Sequence, residues 1–184
     1  MRGGQSLLHS VGLLFSLTCL LNAGWIVAWH YFQIPLTMLL MILLLLSLIY
    51  IRSLIGTQHL SSRERLLVRL PFSVYFGWIT VATIANATVL LVSLDWHRFG
   101  LSEQLWTVII LIVGTLIGAA AAIRFQDVPY VLVLIWAYVG ILVRHVSKHG
   151  LAGRYPAVMI TASLCIALLA AVAAGLFFRS GERK

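Results

Sequence analysis

Tyr75, Trp78, Thr83 and Asn86 fall within one apolar stretch, LPFSVYFGWITVATIANATVLLVS, from Leu70 to Ser93. Tyr75, Trp78, Ala82 and Asn86 are spaced 3, 4 and 4 apart, so on a helix of ~3.6 residues per turn they form one stripe. The chemistry such a stripe offers is binding rather than bond-making: aromatic faces suit a flat apolar guest, and an amide brings one acceptor and a donor group. An amide without a partner costs ~2–7 kcal/mol in a medium that cannot hydrogen-bond. The stripe must therefore face protein, ligand or water. Asn22 and Trp25 are a second such pair in an earlier apolar run. Asn22 lies fifteen residues after Leu7 and Asn86 fifteen after Pro71, which places both amides at about the same depth, ~22 Å along their spans. If the two spans touch, an Asn22–Asn86 hydrogen bond is expected, worth ~0.6–2 kcal/mol between membrane helices.

Catalysis finds no comparable set. Asp95, Glu103 and Asp127 stand in or beside short connections, and Glu64 and Glu182 in polar segments, so no Asp, Glu, Lys or Arg lies well inside an apolar run. A proton relay or ion-coupled pump needs such a group at depth. A hydrolase needs a Ser–His–acid set, or an HExxH pair for a metal, at one depth. The expectation is a protein that is not an enzyme and has no catalytic residues. His145 and His149 are four apart, so on a helix both rings would reach one metal or haem iron; no carboxylate or cysteine joins them, and no metal site is assigned. Cys19 and Cys165 fall inside apolar runs and are expected to be small buried hydrophobes.

The elements that must hold these residues follow from composition. With 61% hydrophobic and 10% charged residues among 184, the chain has the long uncharged stretches of a multi-span membrane protein. Six runs appear: about Leu7 to Phe32, Leu36 to Ile55, Pro71 to Leu94, Leu101 to Ile123, Val128 to Val146 and Pro156 to Phe178. Each suffices at ~1.5 Å per residue to cross ~30 Å of hydrocarbon, and only helices leave no backbone group unpaired there. The fold class is thus all-α, a polytopic six-helix membrane bundle in contact with lipid, read as a single domain over 1–184. The first run continues to Tyr31 without a small-residue cleavage site, which favours an uncleaved span over a signal peptide. Pro35, Pro71, Pro129 and Pro156 sit at or just before span starts, where a missing amide hydrogen does no harm.

The net charge of +8 does not point to nucleic acid, because the basic residues lie between apolar runs, where they set topology. Arg2, Arg52, Arg63, Arg65, Arg69, Arg124, Arg179, Arg183 and Lys184 share one face, against Arg98, Arg144, Lys148 and Arg154 on the other. That asymmetry favours cytoplasmic termini in an inner membrane. Trp29, Trp96 and Trp106 then fall at outer span ends, in the interfacial aromatic belt. Ser61-Ser62-Arg63-Glu64 is placed to cap a short interfacial helix, RERLLVRL, as an alternative to a solvated loop from Arg52 to Arg69. Gly114, Gly118 and Ala122 in span four, and Ala167, Ala171 and Gly175 in span six, repeat every fourth residue and offer grooves for close helix packing. Their partner is expected within the chain, with a homo-oligomer as the alternative. Span two, nearly all leucine, is expected to face lipid over much of its circumference.

The pattern Tyr75-x-x-Trp78-x-x-x-Ala82-Thr83-x-x-Asn86 resembles the fifth helix of the translocator proteins, also called tryptophan-rich sensory proteins (TspO/MBR family). Asn22-x-x-Trp25 is similar to the Asn-x-x-Trp of that family's third helix, and the order agrees, with a leucine-rich helix and a basic loop between. The motifs cover residues 7–93; the whole chain looks most like an extended bacterial branch of these proteins that begins where the third family helix would and adds three spans over 101–178. Span two lacks the Asp and Trp often found in the matching helix. The resemblance implies a membrane sensor that binds a porphyrin, haem-like or sterol-like planar ligand, with Asn22, Trp25, Tyr75, Trp78, Thr83 and Asn86 around it and no other cofactor. Two further classes stay open. One is the substrate-binding subunit of a vitamin-type uptake transporter, which docks its partner through small residues on its first helix, whereas Gly114, Gly118 and Ala122 lie on the fourth. The other is a structural or regulatory membrane subunit without a small ligand.

Overall fold

A computed structural model of the chain describes residues 2–58 and 61–181. Glu182, Arg183 and Lys184, weighed above, lie outside the described residues. Six helices long and apolar enough to cross a bilayer are present: α1 (Arg2–His30), α2 (Ile34–Gly56), α3 (Leu70–Ser93), α4 (Glu103–Phe125), α5 (Val128–Val146) and α6 (Pro156–Gly181). The protein is an all-α polytopic membrane protein. Proline occupies the first turn of α2, α3 and α5, and α6 opens on Pro156. Ser102 caps α4, its side chain accepting from the Leu105 N–H at 3.2 Å. Asp127 caps α5 by accepting from the Tyr130 N–H at 3.3 Å. Gln126, left-handed at φ 48°, closes α4 so that two residues suffice to reverse the chain.

The segment before α3 is a continuous helical lead-in rather than a separate short helix. Ser61 and Glu64 form a capping box: the Ser61 N–H donates to Glu64 Oε2 at 2.8 Å, and the Glu64 N–H donates to Ser61 Oγ at 3.4 Å. Those bonds hold the Glu64 carboxyl below its ordinary pKa, so the box stays closed at neutral pH and opens as pH falls through that lowered value. A helical turn at Ser62–Glu64 passes into a π-turn at Arg65–Arg69, closed by the Leu70 N–H on the Arg65 carbonyl, and then into α3. The π-turn takes in one extra residue and rotates what precedes it by ~100° about the α3 axis.

The chain divides between Asp95 and Trp96 into two compact three-helix units. In the first, α2 packs on both α1 and α3. Span two is the centre of its unit, with Thr37, Met41, Leu44, Leu48, Ile51, Arg52 and Ile55 buried along one stripe, while Leu36, Leu39, Ile42, Leu43, Leu46 and Tyr50 are exposed over the rest of its circumference, as expected of a lipid-facing helix. Polarity alone does not mark the packed side, because Thr37 and Arg52 lie on it whereas Ser47 and Ser53 do not. Arg52 departs from expectation. The helix runs on to Gly56 and buries Arg52 to 1% exposure, where the sequence suggested the start of a hydrophilic loop.

In the second unit α6 packs along both α4 and α5, which touch each other far less. Its core joins Leu111, Tyr138, Val158, Ala162 and Cys165. Tyr138 donates its hydroxyl to the Leu111 carbonyl at 2.7 Å, and Thr115 donates to the same carbonyl at 2.8 Å. Gly114, Gly118 and Ala122 are buried in α4, and a Cβ on Gly118 would overlap the Leu134 side chain of α5. The second small-residue stripe does not find its partner within the unit: Ala167, Ala171 and Gly175 lie on the exposed side of α6. The buried side is Val158, Ala162, Cys165, Leu169, Ala173 and Leu176, because larger side chains bury more area against α4 and α5 than a run of Ala and Gly can.

The α5–α6 connection is held by its own backbone. The Leu151 N–H donates to the Arg144 carbonyl at 2.9 Å and the Gly153 N–H to the His145 carbonyl at 2.8 Å. A Cβ at Gly150 would overlap that Arg144 carbonyl. Gly150→Ala is expected to lower stability by ~1–3 kcal/mol through local overpacking, read as a lower thermal midpoint in detergent, whereas Gly140→Ala, inside α5 with nothing within 4 Å, should leave the midpoint unchanged or raise it.

Candidate functional site

The sequence-derived stripe belongs to the first unit, and its residues occupy three distinct environments. Asn86 is buried where α1, α2 and α3 meet. Its Oδ1 accepts from the Trp25 indole N–H at 3.4 Å, while its Nδ2 donates to Thr37 Oγ1 at 3.2 Å and approaches the Met38 sulfur at 3.6 Å. Thr37 passes its own proton to the Ile34 carbonyl at 2.7 Å. The orientation of the amide follows: indole only donates, and Thr37 is left free to accept. Above Trp25, Trp29 stacks on it with ring centres 5.9 Å apart.

The expected Asn22–Asn86 bond is not formed; Trp25 takes that place. Side chains on a helix tilt toward its N-terminus, so an indole one turn beyond Asn22 reaches back to the depth of the amide. The indole is also the longer side chain, and it reaches between two helices that each pack chiefly on α2. Asn22 is half-buried beside this junction.

Further along the α1–α3 seam the aromatic residues meet again. Tyr75 lies beside Thr18 across the seam, and Thr18 donates its hydroxyl to the Phe15 carbonyl at 2.7 Å. Phe15 and Phe72 pack edge to face at 5.7 Å. The seam thus has a Tyr75–Thr18 rung and a Trp25–Asn86 rung, ~16 Å apart along α3. Half-buried Asn22, Ala82 and Thr83 lie between them along the two helices, the Thr83 hydroxyl turned to its own Ile79 carbonyl at 2.7 Å.

Trp78 does not join the seam and is 54% exposed. At ~100° per residue it lies ~80° around the helix from Asn86, on the side away from Phe76 and Thr80, which are buried. It presents an aromatic face outward beside the Tyr75 rung.

Two polar features were missed. Thr37 and Met38 bond Asn86 from a span that reads as plain, and Tyr138, Thr115 and Cys165 converge on the Leu111 carbonyl in the second unit. A Tyr inside an apolar run at a position in helical register with buried neighbours was the available signal for the latter. Among the described residues no cluster of three His, Cys, Asp or Glu could hold a metal. His145 bonds its own helix at the Ile141 carbonyl, 2.8 Å away, and α5 ends at Val146, so His149 is off the helix that would have paired them. Cys165 is buried, but Cys19 is exposed.

A family model described as TSPO-like protein matches residues 2–175, well beyond the 7–93 stretch that carries the Asn, Trp and Tyr motifs. Comparison with curated proteins and with solved structures gives no match.

Proposed function

Because the chain belongs to the TSPO-like protein family, we propose that it binds a planar hydrophobic ligand, porphyrin, haem-like or sterol-like, against the α1–α3 seam for sensing or regulation. The observation that carries this reading is the seam's construction: two polar-aromatic rungs, Tyr75–Thr18 and Trp25–Asn86, with only small or half-buried side chains between them. Such a surface gives a flat guest aromatic contact at both ends and few obstacles in the middle. Tyr75, Trp25 and the exposed face of Trp78 contact the guest in this reading, Asn22 bonds a polar substituent, and Thr83 and Asn86 hold the wall. The asymmetry of basic residues supports an inner-membrane location with cytoplasmic termini.

Titrating detergent-purified protein with protoporphyrin IX tests this. Saturable quenching of tryptophan emission is expected, with half-saturation raised about threefold to tenfold in Trp78→Phe, the value of one aromatic contact. Trp136→Phe, which replaces an even more exposed indole in the second unit, should leave half-saturation unchanged. Absence of saturation, or an equal shift in both variants, would remove the site from the α1–α3 seam.

A further inference from the structure

The lead-in to α3 combines charge and greasy surface in a way that folding alone does not use. Leu66 and Leu67 are 62% and 72% exposed. Arg63 and Arg65 are exposed beside them, and Arg69 is half-buried. The π-turn at Arg65–Arg69 has rotated these residues out of register with the buried face of α3, whose first buried residue is Ser73. Glu64, the one acid in the segment, is engaged by Ser61 in the capping box. The first-turn N–H groups of this helix add positive partial charge at the same end.

Depth says what covers this surface. The 24 residues of α3, Leu70–Ser93, span ~36 Å, already more than the ~30 Å hydrocarbon core. The eight residues from Ser62 to Arg69 continue the same helix and so fall in the headgroup layer. Exposed leucines there gain by entering the acyl boundary, and guanidinium groups there meet phosphate oxygens at bidentate geometry.

We propose that Arg63, Arg65 and Arg69, with Leu66 and Leu67, form a docking site for the headgroups of anionic phospholipids. Lipid phosphate bonds the arginines while the two leucines sit among the uppermost acyl carbons. Charge complementarity selects the occupant: a segment with three arginines and one engaged carboxylate favours phosphatidylglycerol over zwitterionic phosphatidylcholine.

The test compares lipid retained by purified full-length protein, by native mass spectrometry, after incubation with equimolar dioleoyl-phosphatidylglycerol and dioleoyl-phosphatidylcholine. Wild type should retain phosphatidylglycerol preferentially. Arg63→Gln/Arg65→Gln should reduce that preference by about fivefold per arginine. Arg124→Gln/Arg179→Gln, which removes the same charge from exposed arginines of the second unit, should retain it. Equal retention of the two lipids by wild type overturns the proposal, as does an equal loss in both double variants, which would mean bulk charge. Displacement of the preference by inorganic phosphate at constant ionic strength would assign the arginines to free phosphate and also overturn it. If the glutamine pair does not fold, wild type alone decides: the excess phosphatidylglycerol must be released as salt rises, and salt-insensitive retention counts against the site.

Discussion

Arg52→Ala is expected to cost the first unit ~2–5 kcal/mol, the range for deleting a large buried side chain. Arg52 is among the largest fully buried side chains in the protein. Its guanidinium lies along α2 toward Gly56, 3.9 Å from where a Cβ on that glycine would stand, so the positive head sits at the negative end of the α2 dipole. No buried side-chain nitrogen or oxygen among the described residues lacks a hydrogen-bond partner, so truncation leaves both a void and stranded partners. Arg52→Met, which keeps the apolar stem, should lose less than alanine does. Unfolding in detergent titrated with SDS checks the order: wild type, then Met, then Ala. Equal stability of all three would mean that the buried charge contributes nothing.

Asn86→Leu is the second large effect. It removes the residue that joins α1, α2 and α3 through Trp25, Thr37 and Met38. Interhelical polar contacts are worth ~0.6–2 kcal/mol each, so a loss of ~1–3 kcal/mol is expected in the same SDS titration. The variant has a second signature, because the Trp25 indole loses its acceptor and its emission should shift. Asn22→Leu is the contrast: Asn22 does not bond Asn86, and its replacement should cost much less stability. Comparable losses would restore the amide pair that the geometry disfavours.

That contrast shows what was legible in the sequence. Helix number and approximate ends followed from length and hydropathy, because lipid leaves the backbone only one way to satisfy itself. The Ser61–Glu64 capping box was readable from two residues at the right spacing. The angular positions of packed faces were not. Span two has leucine on every side, so nothing marked its role as the shared helix. On α6 the evenly spaced Ala167, Ala171 and Gly175 drew attention to the exposed side, while the packing side mixes Val, Ala, Cys and Leu. For the candidate site, depth counting brought Asn86 to the right level but chose Asn22 over Trp25, since it compared Cα heights and ignored the reach and tilt of the side chains. Arg52 was missed because a charge near a span end normally reports topology.

The different placement of the shared helix in the two units sets how each is assembled during synthesis. In the first unit the shared helix α2 lies between α1 and α3 in the chain as well as in space, so α1 and α2 can pair before α3 is made. In the second unit the shared helix is α6, the last of its three in chain order. Until α6 is made, α4 and α5 meet through their two-residue turn, the Tyr138 hydroxyl on the Leu111 carbonyl and the Gly118–Leu134 contact, without Val158, Ala162 and Cys165 to complete the core. A chain ending before Pro156 would keep every helix of the first unit but lack the helix on which both others of the second unit pack.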